Sequence, residues 1–106
     1  MIICITSQEE SIDAQADPRF GRCAYFVFYN TETEETEFVR NPNTEDAGGV
    51  GVKAGQFVID KGAAVVISHK FGPNAENVLN TAGIEMKTHD GGTVRELIEA
   101  YRNNSL

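Results

Sequence analysis

The chain is short of cysteine, of basic residues and of long apolar runs, and each shortage removes a class of function. Two cysteines, Cys4 and Cys23, are too few for a disulfide framework, and no CxxC or Cys/His pair stands at structural zinc spacing. Both are expected to be reduced thiols. Nine lysines and arginines against sixteen aspartates and glutamates leave a net charge of −7. Such a surface repels a phosphate backbone and gains little from counterion release, so nucleic acid is not expected as a partner. No apolar stretch approaches the roughly 20 residues that span a bilayer. The start, Met1-Ile-Ile-Cys-Ile-Thr, lacks the basic segment and small-residue cleavage site of a secretory signal. No membrane partner and a cytoplasmic location are the expectations that follow.

What is present suffices for one domain. At 106 residues with 41% hydrophobic content, a chain buries roughly 65% of its unfolded surface and needs no staples. Residues 2–6, Ile-Ile-Cys-Ile-Thr, are almost continuously apolar and β-branched, the pattern of a strand covered on both faces. Ser7 to Arg22 has no sustained period and contains Asp17-Pro18, so it reads as a long loop, a common seat of function. Ala24 to Tyr29 is rich in aromatics, and Glu35 to Arg40 alternates polar and apolar, which predicts an antiparallel hairpin with an acidic tip. After a loop over Asn41 to Gly49, the residues Val50, Ala54, Phe57, Val58 and Lys61 keep helical spacing until Gly62. Ala63 to Ser68 is a second buried strand. Gly72-Pro73-Asn74 opens a helix whose apolar stripe is Ala75, Val78, Leu79 and Ala82, closed by Gly83. Ile84 to Thr88 is a short strand, His89 to Gly92 a turn, and Thr93 caps a last helix through Val94, Leu97, Ile98 and Tyr101.

Right-handed crossovers joining parallel strands then predict a five-stranded α/β sheet of order 3-2-1-4-5, with strand 2 antiparallel to the others. Four loops, Ser7 to Arg22, Asn41 to Gly49, His69 to Gly72 and His89 to Gly92, share one sheet edge with three helix N-termini. The winding reverses between strands 1 and 4, which opens a crevice there, and each helix end is a potential anion site. Arg19, Arg22, Arg40 and Lys70 fall on this edge, but so do Glu9, Glu10, Asp13, Asp17, Glu45, Asp46 and Asp90.

Few motifs carry chemistry by spacing. Gly48-Gly49-Val-Gly51-Val-Lys-Ala-Gly55 misses GxGxxG by one residue and no GK[ST] is present, so it reads as a turn followed by close helix-to-sheet packing. Cys4 belongs to the core. Cys23 follows two arginines at a loop-to-strand junction, where nearby cations would lower a thiol pKa and favour a metal-binding thiolate, with simple packing as the other reading. His69 and His89 stand past strand ends, placed for metal ligation or proton transfer or as plain turn residues. No Ser/His/Asp or paired-carboxylate spacing is recognisable.

Three segments, Asp17-Pro-Arg-Phe-Gly-Arg-Cys-Ala-Tyr-Phe, Ala47-Gly-Gly-Val-Gly and Gly72-Pro-Asn-Ala-Glu-Asn-Val-Leu-Asn-Thr-Ala-Gly-Ile, give the chain a family likeness over almost its whole length. It resembles the dinitrogenase iron-molybdenum cofactor biosynthesis family, small nitrogenase accessory factor-like domains. The resemblance implies one domain over residues 1–106, a three-layer α/β/α ribonuclease-H-like motif, and a non-enzymatic protein that binds or carries an iron-sulfur or iron-molybdenum-type cluster. In the nitrogenase-dedicated members the loop before strand 2 reads His-Phe-Gly and the histidine is the cofactor ligand. Here that position is Arg19, which stays protonated and cannot coordinate metal. A role outside dedicated nitrogenase assembly is therefore expected. Arg19, Phe20, Gly21, Arg22, Gly49 and Gly72 are the candidate cluster-binding residues, and Cys23 or His69 would have to supply any metal ligation. The partners implied are proteins that donate or accept clusters. Two other classes stay open: a regulatory or protein-interaction domain contacting through the acidic hairpin tip or the loop edge, and a metal-dependent hydrolase or transferase using Asp13, Asp17 and Asp90. The second rests on fold analogy alone.

Overall fold

The computed structural model describes residues 1–43 and 48–106. Its elements are β1 (Ile2–Ser7), β2 (Tyr25–Asn30), β3 (Thr36–Arg40), α1 (Val50–Asp60), β4 (Ala63–Ser68), α2 (Pro73–Thr81), β5 (Glu85–Thr88) and α3 (Val94–Arg102). They form one mixed sheet of order β3-β2-β1-β4-β5. β2 is antiparallel to both neighbours, while β1, β4 and β5 are mutually parallel. The predicted order and the single reversed strand are both present. Of the Asn41 to Gly49 loop, residues 44–47 lie outside the described set, and with them the expectations for Glu45, Asp46 and Ala47.

Strand alternation divides the core into two layers. Cys4, Phe26, Phe28 and Val66 face Ala54 and Val58 of α1 and Ala75 and Leu79 of α2. Ile3, Ile5, Val27, Tyr29, Val65 and Ile67 face Val94, Leu97 and Ile98 of α3. A sheet covered on both faces needs apolar residues at every position of its inner strands, which is why β1 and β4 are continuously apolar. Successive side chains point to opposite faces, so neither strand needs to alternate.

Helices α1 and α2 lie side by side on one face. A methyl group at Gly55 would come within 2.9 Å of Val78 Cγ1, and one at Gly51 within 3.4 Å of the Ala75 backbone nitrogen. Gly55 of the glycine-rich run therefore permits close helix-to-helix packing, where the sequence suggested helix-to-sheet packing. This contact brings the N-termini of α1 and α2 together above the C-terminal ends of β1 and β4, and it fixes where the site lies.

Candidate functional site

The loop after β1 first returns along the sheet. Asp17 N–H donates to the Thr6 carbonyl at 2.8 Å, and the Thr6 hydroxyl donates back to the Asp17 carbonyl at 2.6 Å. Residues 18–20 then pair beside the end of β4, with Lys70 N–H donating to Pro18 O at 2.8 Å and Phe20 N–H to Lys70 O at 3.2 Å. This parallel Arg19–Lys70 bridge extends the sheet and sets two cationic side chains next to each other. Phe20 turns inward, 1% exposed, edge-on to Phe26 and tilted against Phe71. Its burial anchors the turn in the core.

From there the chain passes Gly21, where a Cβ would stand 3.2 Å from Val50 Cγ2 and 3.3 Å from the Gly51 nitrogen, so the turn lies directly against the start of α1. Buried Asn41, at the end of β3, donates from its carboxamide to the carbonyls of Gly21 at 3.1 Å and Cys23 at 2.9 Å. Nothing in the sequence singled out Asn41, because an asparagine after a strand reads as an ordinary turn residue.

These contacts enclose a cleft of about 340 Å³ lined by the Arg19–Arg22 turn, Gly49–Gly51, Lys70 and Gly72–Ala75. All six residues expected to bind a cluster, Arg19, Phe20, Gly21, Arg22, Gly49 and Gly72, line it. Arg19, Arg22 and Lys70 are exposed at its rim, and among the described residues no carboxylate lines it. Gly49 stands at the cap of α1 with φ +71°, a left-handed conformation that favours glycine, and Gly72 caps α2. Neither cap offers a side-chain hydrogen bond, so among the described residues no capping side chain satisfies the first N–H groups of either helix, and Pro73 brings none to the first position of α2. The start of α3 is different. Thr93 and Glu96 form a reciprocal capping box there, so that helix end satisfies itself.

The structure also divides the predicted sheet edge in two. His89 to Gly92 joins the opposite face with the first half of the β1 loop, through Ala16 N–H to Gly92 O at 2.9 Å and Val94 N–H to Ala14 O at 3.0 Å. The sheet thus separates this loop from the α1–α2 cleft, and three loops form the cleft, not four.

Cys23 requires a correction. It is fully buried, and burial first and the Asp17 charge second push its thiol well above the ordinary range, outweighing the Asn41 hydrogen bond and the Arg19 charge. The expected exposed, acidified thiolate is absent because the preceding arginines point to the cleft while the thiol points to the core. Cys4 is buried as expected, and burial also raises its thiol. His69 is exposed and presents Nδ1 to the His89 carbonyl, leaving one lone pair on Nε2. His89 Nδ1 accepts from Gly91 N–H at 2.9 Å, which places its proton on the buried Nε2 and removes it as a metal ligand. Among the described residues no group of three His, Cys, Asp or Glu could hold a metal ion. Asp13 pairs with Arg95 at 2.9 Å and Asp17 with Arg19 at 3.1 Å. Two of the three carboxylates of the hydrolase alternative are therefore held in separate ion pairs. Among the described residues no helix is long and apolar enough to cross a membrane.

Comparison with known proteins agrees with this fold. A family model, dinitrogenase iron-molybdenum cofactor, matches residues 1–104. The apo form of the orange protein from Desulfovibrio gigas has the same fold with a TM-score of 0.92 at 31% identity, covering 98% of this chain and 88% of that one. A protein from Thermotoga described as belonging to the DUF35 family gives 0.87 at 34% identity, covering 98% and 89%. An uncharacterised protein of Methanocaldococcus jannaschii is 26% identical over 92 residues, 84% of this chain and 78% of its own length. The chain belongs to the dinitrogenase iron-molybdenum cofactor family.

Proposed function

We propose that this protein is a non-enzymatic carrier that binds an anionic metal–sulfur cluster, of iron-sulfur or iron-molybdenum type, as cargo in the cleft between the Arg19–Arg22 turn and the N-termini of α1 and α2. The observation that carries this reading is the convergence of Arg19, Arg22 and Lys70 with two helix ends that lack side-chain caps, on walls made of Phe20, Val50, Pro73 and Ala75. Cations and backbone N–H groups hold an anion through charge-assisted hydrogen bonds. The carbon-lined walls favour a large, weakly hydrated anion over a small oxyanion, because little polar surface is offered in exchange for lost water. Family membership and the likeness to a protein studied in an apo form support cluster handling.

The donor set fits a cluster that arrives with its own ligands better than one built on protein thiolates. Both cysteines are buried, and His69 offers one imidazole nitrogen. Retention by charge without covalent bonds suits a carrier, which must pass its cargo to cluster-accepting proteins. The test is anaerobic mixing with tetrathiomolybdate, and separately with iron and sulfide, followed by gel filtration and visible absorption of the protein peak. Colour retained by the wild type, reduced by high salt and by the Arg19→Ala and Arg22→Ala pair, and unaffected by Cys23→Ala supports the proposal. Colour that depends on Cys23, or that survives loss of both arginines, refutes it.

A further inference from the structure

Asp17 is among the most buried charged residues of the chain, 1% exposed, and its side chain is directed at the cleft turn. Oδ1 accepts from Arg19 N–H at 3.0 Å and from Arg19 Nε at 3.1 Å; Oδ2 accepts from an Arg19 terminal nitrogen at 3.2 Å and from Ala24 N–H at 3.3 Å. The carboxylate and guanidinium thus meet at two points, a forked contact that arginine supports and lysine does not. The backbone of Asp17 is bound in turn to Thr6 of β1, whose hydroxyl lies 3.0 Å from the Ser68 hydroxyl of β4. The fork therefore stands on the two central strands.

We infer that Asp17 is a positioning residue for anion binding: it holds the Arg19 guanidinium edge-on so that the remaining N–H donors face the cleft. The inference rests on the reading of the cleft as an anion site. Of five guanidinium N–H groups, the fork engages Nε–H and one terminal N–H. Three are left, pointing away from Asp17, while the Arg19 side chain remains 62% exposed and reachable. An exposed arginine without such a partner loses side-chain entropy when it orders on a ligand. Arg19 is ordered beforehand by a group that itself cannot move, so that loss is already incurred in the folded protein.

Charge alone predicts the opposite effect of Asp17. A carboxylate beside the site opposes an anion, so removing it should tighten binding if Asp17 does nothing but contribute charge. Positioning predicts weaker binding, despite the gain of one positive unit. A third role, holding the turn through Arg19 N–H and Ala24 N–H, predicts weaker binding whatever side chain stands at position 19. The three are separable.

The experiment is equilibrium binding of tetrathiomolybdate to the full chain, in wild type, Asp17→Asn, Arg19→Lys and the double variant, at fixed salt. The expected result is a loss of about tenfold in affinity for Asp17→Asn, the scale of one lost charge-assisted contact, with no further loss when Asp17→Asn is added to Arg19→Lys. Equal losses in both backgrounds, or tighter binding by Asp17→Asn alone, overturn the positioning role while leaving the cleft as an anion site. Absence of binding by the wild type overturns the cleft reading and this role with it. Should Asp17→Asn fail to fold, exchange of the Arg19 Nε proton in the ligand-free wild type decides the matter. Slow exchange relative to exposed Arg40 supports the fork, and equal exchange refutes it.

Discussion

Replacing Gly55 by alanine sets two known effects against each other, and the structure says which prevails. Glycine in a helix interior is less favourable than alanine by about 0.8–1.0 kcal/mol, so an unobstructed substitution would stabilise the protein by that amount. Here the new methyl would stand 2.9 Å from Val78 Cγ1 and 3.3 Å from Val78 Cβ. Val78 cannot turn aside, because a β-branched side chain in a helix has essentially one rotamer. Relief must come from moving α2 relative to α1, and overpacking of this kind costs about 1–3 kcal/mol. The net expectation is a loss of about 1 kcal/mol, read as a fall in Tm of about 5 °C for a domain of this size. Gly51→Ala is the internal control, since its methyl meets Ala75 at 3.4–3.5 Å, ordinary contact. It should be neutral or slightly stabilising. Urea unfolding followed by circular dichroism measures both. The decisive variant is Gly55→Ala placed on Val78→Ala, where the 2.9 Å approach to Cγ1 is gone and only the 3.3 Å approach to the remaining Cβ is left, so the cost of the substitution should fall to near zero. If Gly55→Ala is as stable as the wild type, or costs as much in the Val78→Ala background as in the wild type, the close α1–α2 contact is wrong.

Three further expectations concern groups away from that contact. Neither Cys4 nor Cys23 should react with a thiol reagent at pH 8 unless the protein unfolds, because burial raises both thiols; rapid stoichiometric labelling of the native state would contradict this. Thr93→Ala should cost about 1 kcal/mol through loss of the α3 cap, measured by urea unfolding. The Thr93 backbone N–H holds the Glu96 carboxyl below its usual range, so this part of the stability is present above the ordinary glutamate value and is lost as pH falls through the folded value. A Glu96→Gln penalty that is as large at pH 3 as at pH 7 would refute it. Burial, and secondarily His69, hold the His89 imidazole below its ordinary value, with Asp90 opposing. The unfolded chain then takes up this proton first, so stability should decline as pH drops below about 6.5, the ordinary histidine value. Denaturation at pH 7.5 and 5.5 should show a smaller decline in His89→Gln, and identical declines would count against the assignment.

The architecture was readable because β1 and β4 are apolar on both faces and the turns around Pro73, Gly62 and Gly83 mark where helices begin and end. From two buried central strands and right-handed crossovers the strand order followed. That the six residues of the turn and helix caps lie together was readable for the same reason: topology puts their loops at one edge, whatever their side chains do. Side-chain direction was not readable. Arg22 and Cys23 are adjacent, yet one faces the cleft and the other is fully buried, and the burial that raises the thiol comes from residues distant in sequence. Asp17 was legible only as one of the acids on the loop edge, and the return of the loop along β1 is what makes it a buried acceptor. The His89 loop lay on the same sheet edge as the cleft, but which face of the sheet it joins depends on its pairing with Ala14 to Ala16.

The central claim, an anion held by the Arg19–Arg22 turn and the starts of α1 and α2, is tested most directly by mapping amide shifts of the labelled protein during titration with tetrathiomolybdate. The account predicts saturable shifts at residues 19–22, 49–51 and 70–75, with the hairpin tip at residues 31–35 and the α3 start at 93–96 unmoved. Shifts centred on the hairpin tip or the α3 start, or none at all, would contradict it.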